Sequence, residues 1–499
     1  MLHMLSISFS GWLSALGEAL SSAGKTAYGI FEEVVFFANG IFNNSIISIP
    51  LPGGKNLEIS LLVILLVAMG VFFTLKTRFM QVRLFPDMVK ASGKSTSKSE
   101  KKALSGFQSL IVSTATRIGM GNLAGVVAAV SVGGAGAVFW MWVTALVGAA
   151  TAFVEAVLAQ KYHQPDPIYG GYRGGPAYYI HAFMEKIGGK KLKKSLLAAL
   201  FAASGLLCWC GISQVVGNSV TEAVENQFEI KPIYTVIVLV ALAAVIVLRK
   251  NATVKVLDIM VPIMAGAFFV ITLFIIFKNI AHIPGVFGRI FSEAFGIKEI
   301  AGGGLGAVIM EGVKRGLFSN EAGSGSAPCA AAAAHTDDPA KIGLLQSLGV
   351  FIDTLVICSC TSFIMLLVPE NIIKGQSGMQ LLQTAMNYHL GPFGGIFITV
   401  TLWLFAFSTF IGVLFYARSN VAYLFGDKMI YQTAYKIVAL VMLFMGGLAT
   451  YTAVWALSDV GIALMTVFNA IALIPMCKEA VGLLKGYEKT RNIKNNRCF

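Results

Sequence analysis

The chain has 499 residues, of which 56% are hydrophobic and only 13% charged, with a formal net charge of +13. A water-soluble domain carries about 25% charged residues, so this chain cannot cover a solvent-facing surface and must present much of itself to lipid. The positive balance has a topological explanation, set out below, and calls for no nucleic-acid partner.

In chain order, residues 8–42 lack the basic start of a signal peptide, and Glu18 interrupts their apolar run. One or two amphipathic helices on the outer membrane surface are expected there, within an extracytoplasmic segment 1–56. Apolar runs follow near 57–76, 107–130, 136–160, 196–220, 232–249, 256–278, 303–333, 342–368, 393–417, 434–452 and 454–477. Each approaches the roughly 20 residues that cross a bilayer, so an all-α polytopic membrane protein of about 11 transmembrane helices is predicted. The 52 glycines fit helices that approach one another closely.

Lys and Arg orient these spans. The loop 76–103 holds Lys76, Arg78, Arg83, Lys90, Lys94, Lys98, Lys101 and Lys102; the loop after the third span holds Lys161, Arg173, Lys186, Lys190, Lys191, Lys193 and Lys194. Arg249, Lys250 and Lys255 share their parity, as does the basic tail 478–499. Alternate loops, such as 131–136 and 222–231, are short or acidic. Basic residues collect on the cytoplasmic side, which puts the N-terminus outside and the C-terminus inside a plasma (inner) membrane.

Cys208 with Cys210, and Cys358 with Cys360, are C-x-C pairs inside apolar spans and read as packing residues. His335, Asp337 and Asp338 read as a polar turn with helix caps rather than a metal site. The chain has no phosphate-binding Walker motif, no G-x-S-x-G elbow and no H-E-x-x-H pair. That pattern speaks against ATP-driven transport and against an enzyme.

With 57–103 set aside as a leading helix and basic loop, the remaining ten spans divide into blocks 104–278 and 303–477, joined by an extracytoplasmic connection 279–302. Five spans is an odd number, so the second block enters from the opposite side: the inverted-repeat plan of LeuT-like transporters. The first helix of each block is interrupted. One break runs Ser113-Thr-Ala-Thr-Arg-Ile-Gly-Met-Gly-Asn-Leu-Ala-Gly125, the other from Gly312 through Asn320-Glu-Ala-Gly-Ser-Gly-Ser326 to Pro328. Unwinding frees backbone N–H and C=O groups where no bulk water competes, and such groups suit a carboxylate and a cation. Glycines that serve only for tight packing would not explain Arg117, Asn122, Asn320 and Glu321 at membrane depth.

At these residues the chain resembles the alanine/glycine:cation symporter family, also called sodium:alanine symporters. The resemblance is carried by Arg117-Ile-Gly-Met-Gly-Asn-Leu-Ala-Gly-Val126, Phe139-Trp-Met-Trp142, Thr151-Ala-Phe-Val-Glu155, Arg315-Gly-Leu-Phe-Ser-Asn-Glu-Ala-Gly323, Gly325-Ser-Ala-Pro328, Gln346-Ser-Leu-Gly-Val-Phe-Ile-Asp-Thr354 and Phe405-Ala-Phe-Ser-Thr409. It implies a LeuT-like fold with one extra leading helix, and import of a small neutral amino acid with sodium. A proton-coupled carrier, or a carrier of a larger neutral amino acid such as glutamine, is the alternative. By this resemblance Met120, Gly121, Asn122, Gln214 and Phe318 would contact substrate. Carbonyls of Ala115, Ile118 and Phe405, with the hydroxyls of Ser408 and Thr409, would hold sodium. Three departures from the family stand out: Met120 replaces a usual Thr, Arg418 a usual acid, and Ile462 with Phe468-Asn469 a usual Asn and Pro-Asn pair.

Arg117, Glu155, Glu311, Glu321, Asp353 and Asp459 also fall in or near spans. They either handle substrate, cation or proton, with Asp353 the candidate for coupling, or form internal ion pairs that fix helix positions. Substrate, sodium and lipid are the expected partners; a monomer suffices, and the sequence leaves the oligomeric state open.

Overall fold

The structure, a computed structural model, describes residues 29, 33–42, 44–50, 56–92, 110, 114, 117–249, 252–296 and 304–496. It is mostly helical. A short helix Glu33–Phe42 is followed by an antiparallel hairpin, β1 (Ser45–Pro50) with β2 (Asn56–Ser60), in the register Ser48 to Glu58. Glu33–Phe42 falls in the stretch expected to be helical, while the hairpin takes up residues 57–60 of the expected first span, so that helix begins at Leu61. Most of the expected amphipathic stretch, residues 8–28, lies outside the described residues.

The helices follow in order: α1 (Leu61–Lys76), α2 (Phe85–Ser92), α3 (Val126–Gly133), α4 (Gly136–Lys161), α5 (Pro176–Gly188), α6 (Leu196–Phe228), α7 (Pro232–Val247) and α8 (Ala252–Lys278). Then come α9 (Ile283–Ala294), α10 (Gly304–Asn320), α11 (Pro339–Val350), α12 (Ser359–Leu366), α13 (Gly378–Leu390), α14 (Pro392–Phe425), α15 (Met429–Gly446) and α16 (Tyr451–Asn496). Local chemistry sets many starts. The Ser195 hydroxyl accepts from Ala198 N at α6, and the Asp338 carboxylate accepts from Ala340 N at α11. Proline opens α5, α7, α11 and α14, where its missing N–H is harmless.

Among the described residues seven helices are long and apolar enough to cross a membrane: Gly136–Lys161, Leu196–Phe228, Ile259–Lys278, Pro339–Leu366, Pro392–Phe425, Met429–Gly446 and Tyr451–Arg491. The other four expected spans form shorter helices for visible reasons. The hairpin delays α1 to Leu61, α7 ends at Val247, and the two glycine-rich segments are broken. The basic segment from 478 is helical, because α16 runs on to Asn496. Its charged turns are tied down by Glu479 to Lys161 (2.6 Å), Glu488 to Arg83 (2.7 Å) and Arg491 to Asp87 (3.0 Å).

The core is built on α6, which packs along α14, α15 and α16, and on α4, which packs on α10 and α11. Lipid tails offer no hydrophobic drive for helix association, so close van der Waals contact must supply it. At Gly211 an added Cβ would lie 2.7 Å from Ser458 N, so the backbones of α6 and α16 meet directly.

Candidate functional site

The first break lies ahead of α3. The chain turns at Ile118–Gly119, and Gly121–Gly125 forms a π-helical turn. Gly119 N donates to Arg117 O (2.8 Å) and to the Asn122 side-chain carbonyl (2.9 Å), while Asn122 N returns to Gly119 O (3.1 Å). Asn122 therefore closes the turn with its own amide, as short polar side chains do where a helix stops. Met120 N leaves the helical ladder altogether and donates to Thr409 Oγ1 of α14 (3.0 Å).

Thr409 Oγ1 in turn donates to Phe405 O (2.9 Å), and Ser408 Oγ to the same carbonyl (2.8 Å). Ile118, Phe405, Ser408 and Thr409 are all buried, and the Thr409–Met120 bond joins α14 to the break. Ala115, the remaining expected sodium ligand, lies outside the described residues.

The second break follows α10. Glu321 adopts φ +57°, and Gly323 and Gly325 adopt φ +98° and +85°, a left-handed backbone that glycine takes without strain. Its polar groups are held from three sides. Glu155 of α4 accepts from Gly323 N (3.0 Å) and from Asn469 Nδ2 of α16 (2.6 Å). Asn469 also donates to Gly323 O (3.1 Å) and accepts the Tyr179 hydroxyl of α5; Tyr416 of α14 donates to Glu321 (3.1 Å).

Asp353 joins the two breaks. It sits in the π-helical stretch Phe351–Cys358, fully buried. Its carboxylate accepts from Asn122 Nδ2 (2.8 Å), Ser319 Oγ (2.9 Å) and Thr354 Oγ1 (2.7 Å). Asn122 belongs to the first break, and Ser319 lies in the last turn of α10. The two also touch through backbone: a Cβ on Gly121 would stand 2.7 Å from Ser319 Cα. A buried carboxylate without donors would be very costly, and three donors make this one tenable.

The structure thus gathers Ile118, Met120, Gly121, Asn122, Asp353, Phe405, Ser408 and Thr409. Phe318 lies beside them, its ring next to Gly125 and 4.8 Å from the Trp455 ring of α16. Gln214 is directed elsewhere: its amide donates to Met442 Sδ (3.4 Å) of α15. Of the charges singled out in sequence, Arg315 pairs bidentately with Asp459 (3.0 and 3.1 Å), bonds Glu311 (3.1 Å) and lies 4.2 Å over the Trp455 ring. Arg117 donates to Gln346 O (3.1 Å). Arg418 stacks on Tyr169 (4.0 Å) and Phe415 (4.9 Å), which gives a cation a place where the family has an acid. Sequence reasoning missed Ser319, Trp455, Tyr179 and the tie from Asn469 to Glu155. Ser319 stood inside a quoted motif, but its partner lies on another element.

The sodium:alanine symporter family pattern matches residues 53–499, which takes in both breaks and every side chain just described. The chain belongs to the sodium:alanine symporter family. It is 38% identical over 451 residues to the amino-acid carrier protein AlsT of Bacillus subtilis, covering 90% of this chain and 93% of that one. It is 38% identical over 442 residues to the probable sodium/glutamine symporter GlnT of the same organism, covering 88% and 90%. It is 37% identical over 435 residues to the sodium/alanine symporter AgcS of Methanococcus maripaludis, covering 86% and 94%. In fold it is similar to the crystal structure of a manganese transporter from Eremococcus coleocola, with a TM-score of 0.50, 10% identity, and 78% and 81% of the two chains covered. As a member of this family it is a multi-pass membrane transport protein. Hydroxyls and backbone carbonyls suit a hard monovalent cation, and an interrupted helix offers N–H groups to a carboxylate.

Proposed function

We propose that this chain is a secondary active symporter that imports a small neutral amino acid, alanine or glycine, together with sodium by alternating access. The observation that carries the reading is the bond from Met120 N to Thr409 Oγ1, which brings the α14 hydroxyls to the first break. Sodium would sit among the carbonyls of Ala115, Ile118 and Phe405 and the hydroxyls of Ser408 and Thr409. The substrate carboxylate would meet the backbone of Met120, Gly121 and Asn122, with Phe318 and Trp455 as the apolar wall. Gln214 would join the substrate contacts only after a movement away from Met442.

The same reading takes eleven spans, arranged as a leading helix and two inverted five-helix halves, 104–278 and 303–477. The touching of Gly121 and Ser319, from the first helix of each half, supports it. The chain would lie in the plasma membrane with its N-terminus outside and C-terminus inside, as the Lys/Arg loops require.

Two alternatives have specific support. Asp353, bonded to both breaks, is the group a proton would use. GlnT, at 38% identity, makes glutamine a substrate to test. The experiment is uptake of labelled alanine into proteoliposomes against sodium at fixed pH, with glutamine, glycine and serine as competitors. Saturable sodium dependence with alanine as the better competitor supports the reading. Full uptake on a pH gradient in sodium-free buffer, or glutamine outcompeting alanine, defeats it.

A further inference from the structure

Lys436 stands on the inner face of α15, two turns from the helix start, and is only 5% exposed. Among the described residues no hydrogen bond or ion pair holds its ammonium. The ammonium is not sealed in, because it is absent from the closed-off unpaired atoms of the protein. A buried cation without a partner is costly, so an anion is its natural complement. A lysine that merely anchors a helix in the headgroup layer lays its stem along lipid. Here the lipid-facing stripe of α15 is Ile430, Ile437 and Val441, all exposed, and the Lys436 stem is enclosed on the other side.

The neighbouring charges deepen the imbalance. The charged group in reach of Lys436 is Arg418 of α14, which has the same sign. Gln432, one turn before Lys436 on the same face, donates to Arg418 O (3.1 Å). The Arg418 guanidinium lies 4.0 Å over the Tyr169 ring, and the Tyr169 hydroxyl meets Met429 Sδ (3.9 Å) at the start of α15. Helical side chains lean toward the N-terminus of their helix, which directs the ammonium to this same end. Two acids stand there. Asp166 lies in electrostatic reach of Arg418 and accepts from Ile168 N (2.9 Å) and Tyr169 N (3.1 Å), while Asp427 pairs with Arg173. Each acid thus faces another cation, and the charge of Lys436 is left over.

We propose that this end of the α14–α15 junction binds a phosphate group, with the Lys436 ammonium bonding its oxygens and Arg418 adding a second positive charge. An anionic lipid headgroup brings such a phosphate. Its acyl chains would lie on the Ile430, Ile437 and Val441 stripe beside the site. The Lys/Arg-rich loops put this end at the cytoplasmic surface, where basic pockets between helices take anionic headgroups. The proposal is independent of the solute carried, so its failure leaves the symporter reading untouched.

The test compares wild type, Lys436→Gln and Lys436→Arg in nanodiscs of phosphatidylcholine alone and with added phosphatidylglycerol or cardiolipin. The readouts are the thermal melt and the lipid retained in native mass spectrometry. Wild type and Lys436→Arg should melt about 2–4 °C higher with the anionic lipid. Lys436→Gln should gain nothing and should retain about fivefold less of that lipid, the factor one basic group near a headgroup is worth. In phosphatidylcholine alone Lys436→Gln should melt no lower than wild type, since it loses an unpaired cation beside Arg418. A further arm adds inorganic phosphate in phosphatidylcholine, against chloride at equal ionic strength. A rise there that depends on Lys436 supports the phosphate site and assigns it to the free ion; no rise there, with the gain from anionic lipid intact, assigns it to the headgroup. Equal gains in wild type and Lys436→Gln, or no gain in wild type in any arm, overturn the proposal. A lower melt of Lys436→Gln in phosphatidylcholine alone also overturns it, because the ammonium would then be held by the protein itself.

Discussion

Gly121→Ala is the smallest change that separates the two breaks. The added methyl would stand 2.7 Å from Ser319 Cα, 3.1 Å from Ser319 Cβ and 3.2 Å from Ser319 N. Carbon atoms rest about 3.5–4.0 Å apart, so the segments must part by roughly 1 Å. Backbone stands on both sides, and no rotamer change relieves the contact. Two bonds flank the site, Met120 N to Thr409 (3.0 Å) and Asn122 Nδ2 to Asp353 (2.8 Å). Both tie the first break to other elements, and a shift of that size cannot keep both. Overpacking costs about 1–3 kcal/mol, and each buried bond contributes about 1 kcal/mol, so the variant should lose about 3–5 kcal/mol in all. If only the Thr409 bond is lost from the proposed sodium-binding arrangement, half-saturating sodium should rise about fivefold, since about 1 kcal/mol is a factor of about five. The assay is alanine uptake against sodium in proteoliposomes matched for inserted protein, with a thermal melt in detergent alongside. A wild-type sodium curve and melt in Gly121→Ala would refute the claim that this contact sets the sodium site.

Thr409→Ala removes both a proposed sodium ligand and the acceptor for Met120 N. It should raise half-saturating sodium at least about tenfold, whereas Thr409→Ser should remain close to wild type; equal defects in the two would assign Thr409 to packing through its methyl. Asp459→Asn leaves the buried Arg315 with Glu311 as its remaining carboxylate partner in a direct bond. Breaking a buried pair costs about 3–5 kcal/mol, so the melt should fall clearly, and an unchanged melt would show the pair contributes nothing to stability. For orientation, Lys190→Cys should react with an impermeant maleimide only after cells are opened, and Lys231→Cys in intact cells. The reverse pattern would invert the topology.

The sequence already marked the two breaks, because glycine and polar residues at membrane depth have few other uses. Their consequences were less legible. Ser319 reads as one more small polar residue until α10 is seen against Gly121 and Asp353, and that alignment depends on how the helices pack. Asn469 looked like half of a departed family pair, yet it bonds both Glu155 and Gly323. Trp455 showed no local signal, since its importance comes from Phe318 and Arg315, more than a hundred positions away. The charges were read as either functional or structural, and most proved to be bonded inside the protein. The basic tail read as a segment apart, yet it continues α16, and its Glu479, Glu488 and Arg491 pair with Lys161, Arg83 and Asp87, partners far away in sequence.

If Asp353 is the coupling group, its bonds offer a route between the two ligands. Its carboxylate takes one bond from Asn122 and one from Ser319, so the first and second breaks share a single acceptor. Sodium among Ile118, Phe405, Ser408 and Thr409 would hold Met120 against α14 and thereby fix Asn122 two residues on. An amino acid against Phe318 would fix Ser319, the next residue along α10. Each ligand would then order one of the two donors that reach Asp353 from the breaks. Binding of either would lower the cost of ordering the other, and linkage would make that benefit equal in both directions. A carrier that moves its two halves only when both donors are seated would transport alanine and sodium together and leak neither alone. In that arrangement the bonds Asp353 accepts from Asn122 and Ser319 would report that both sites are filled.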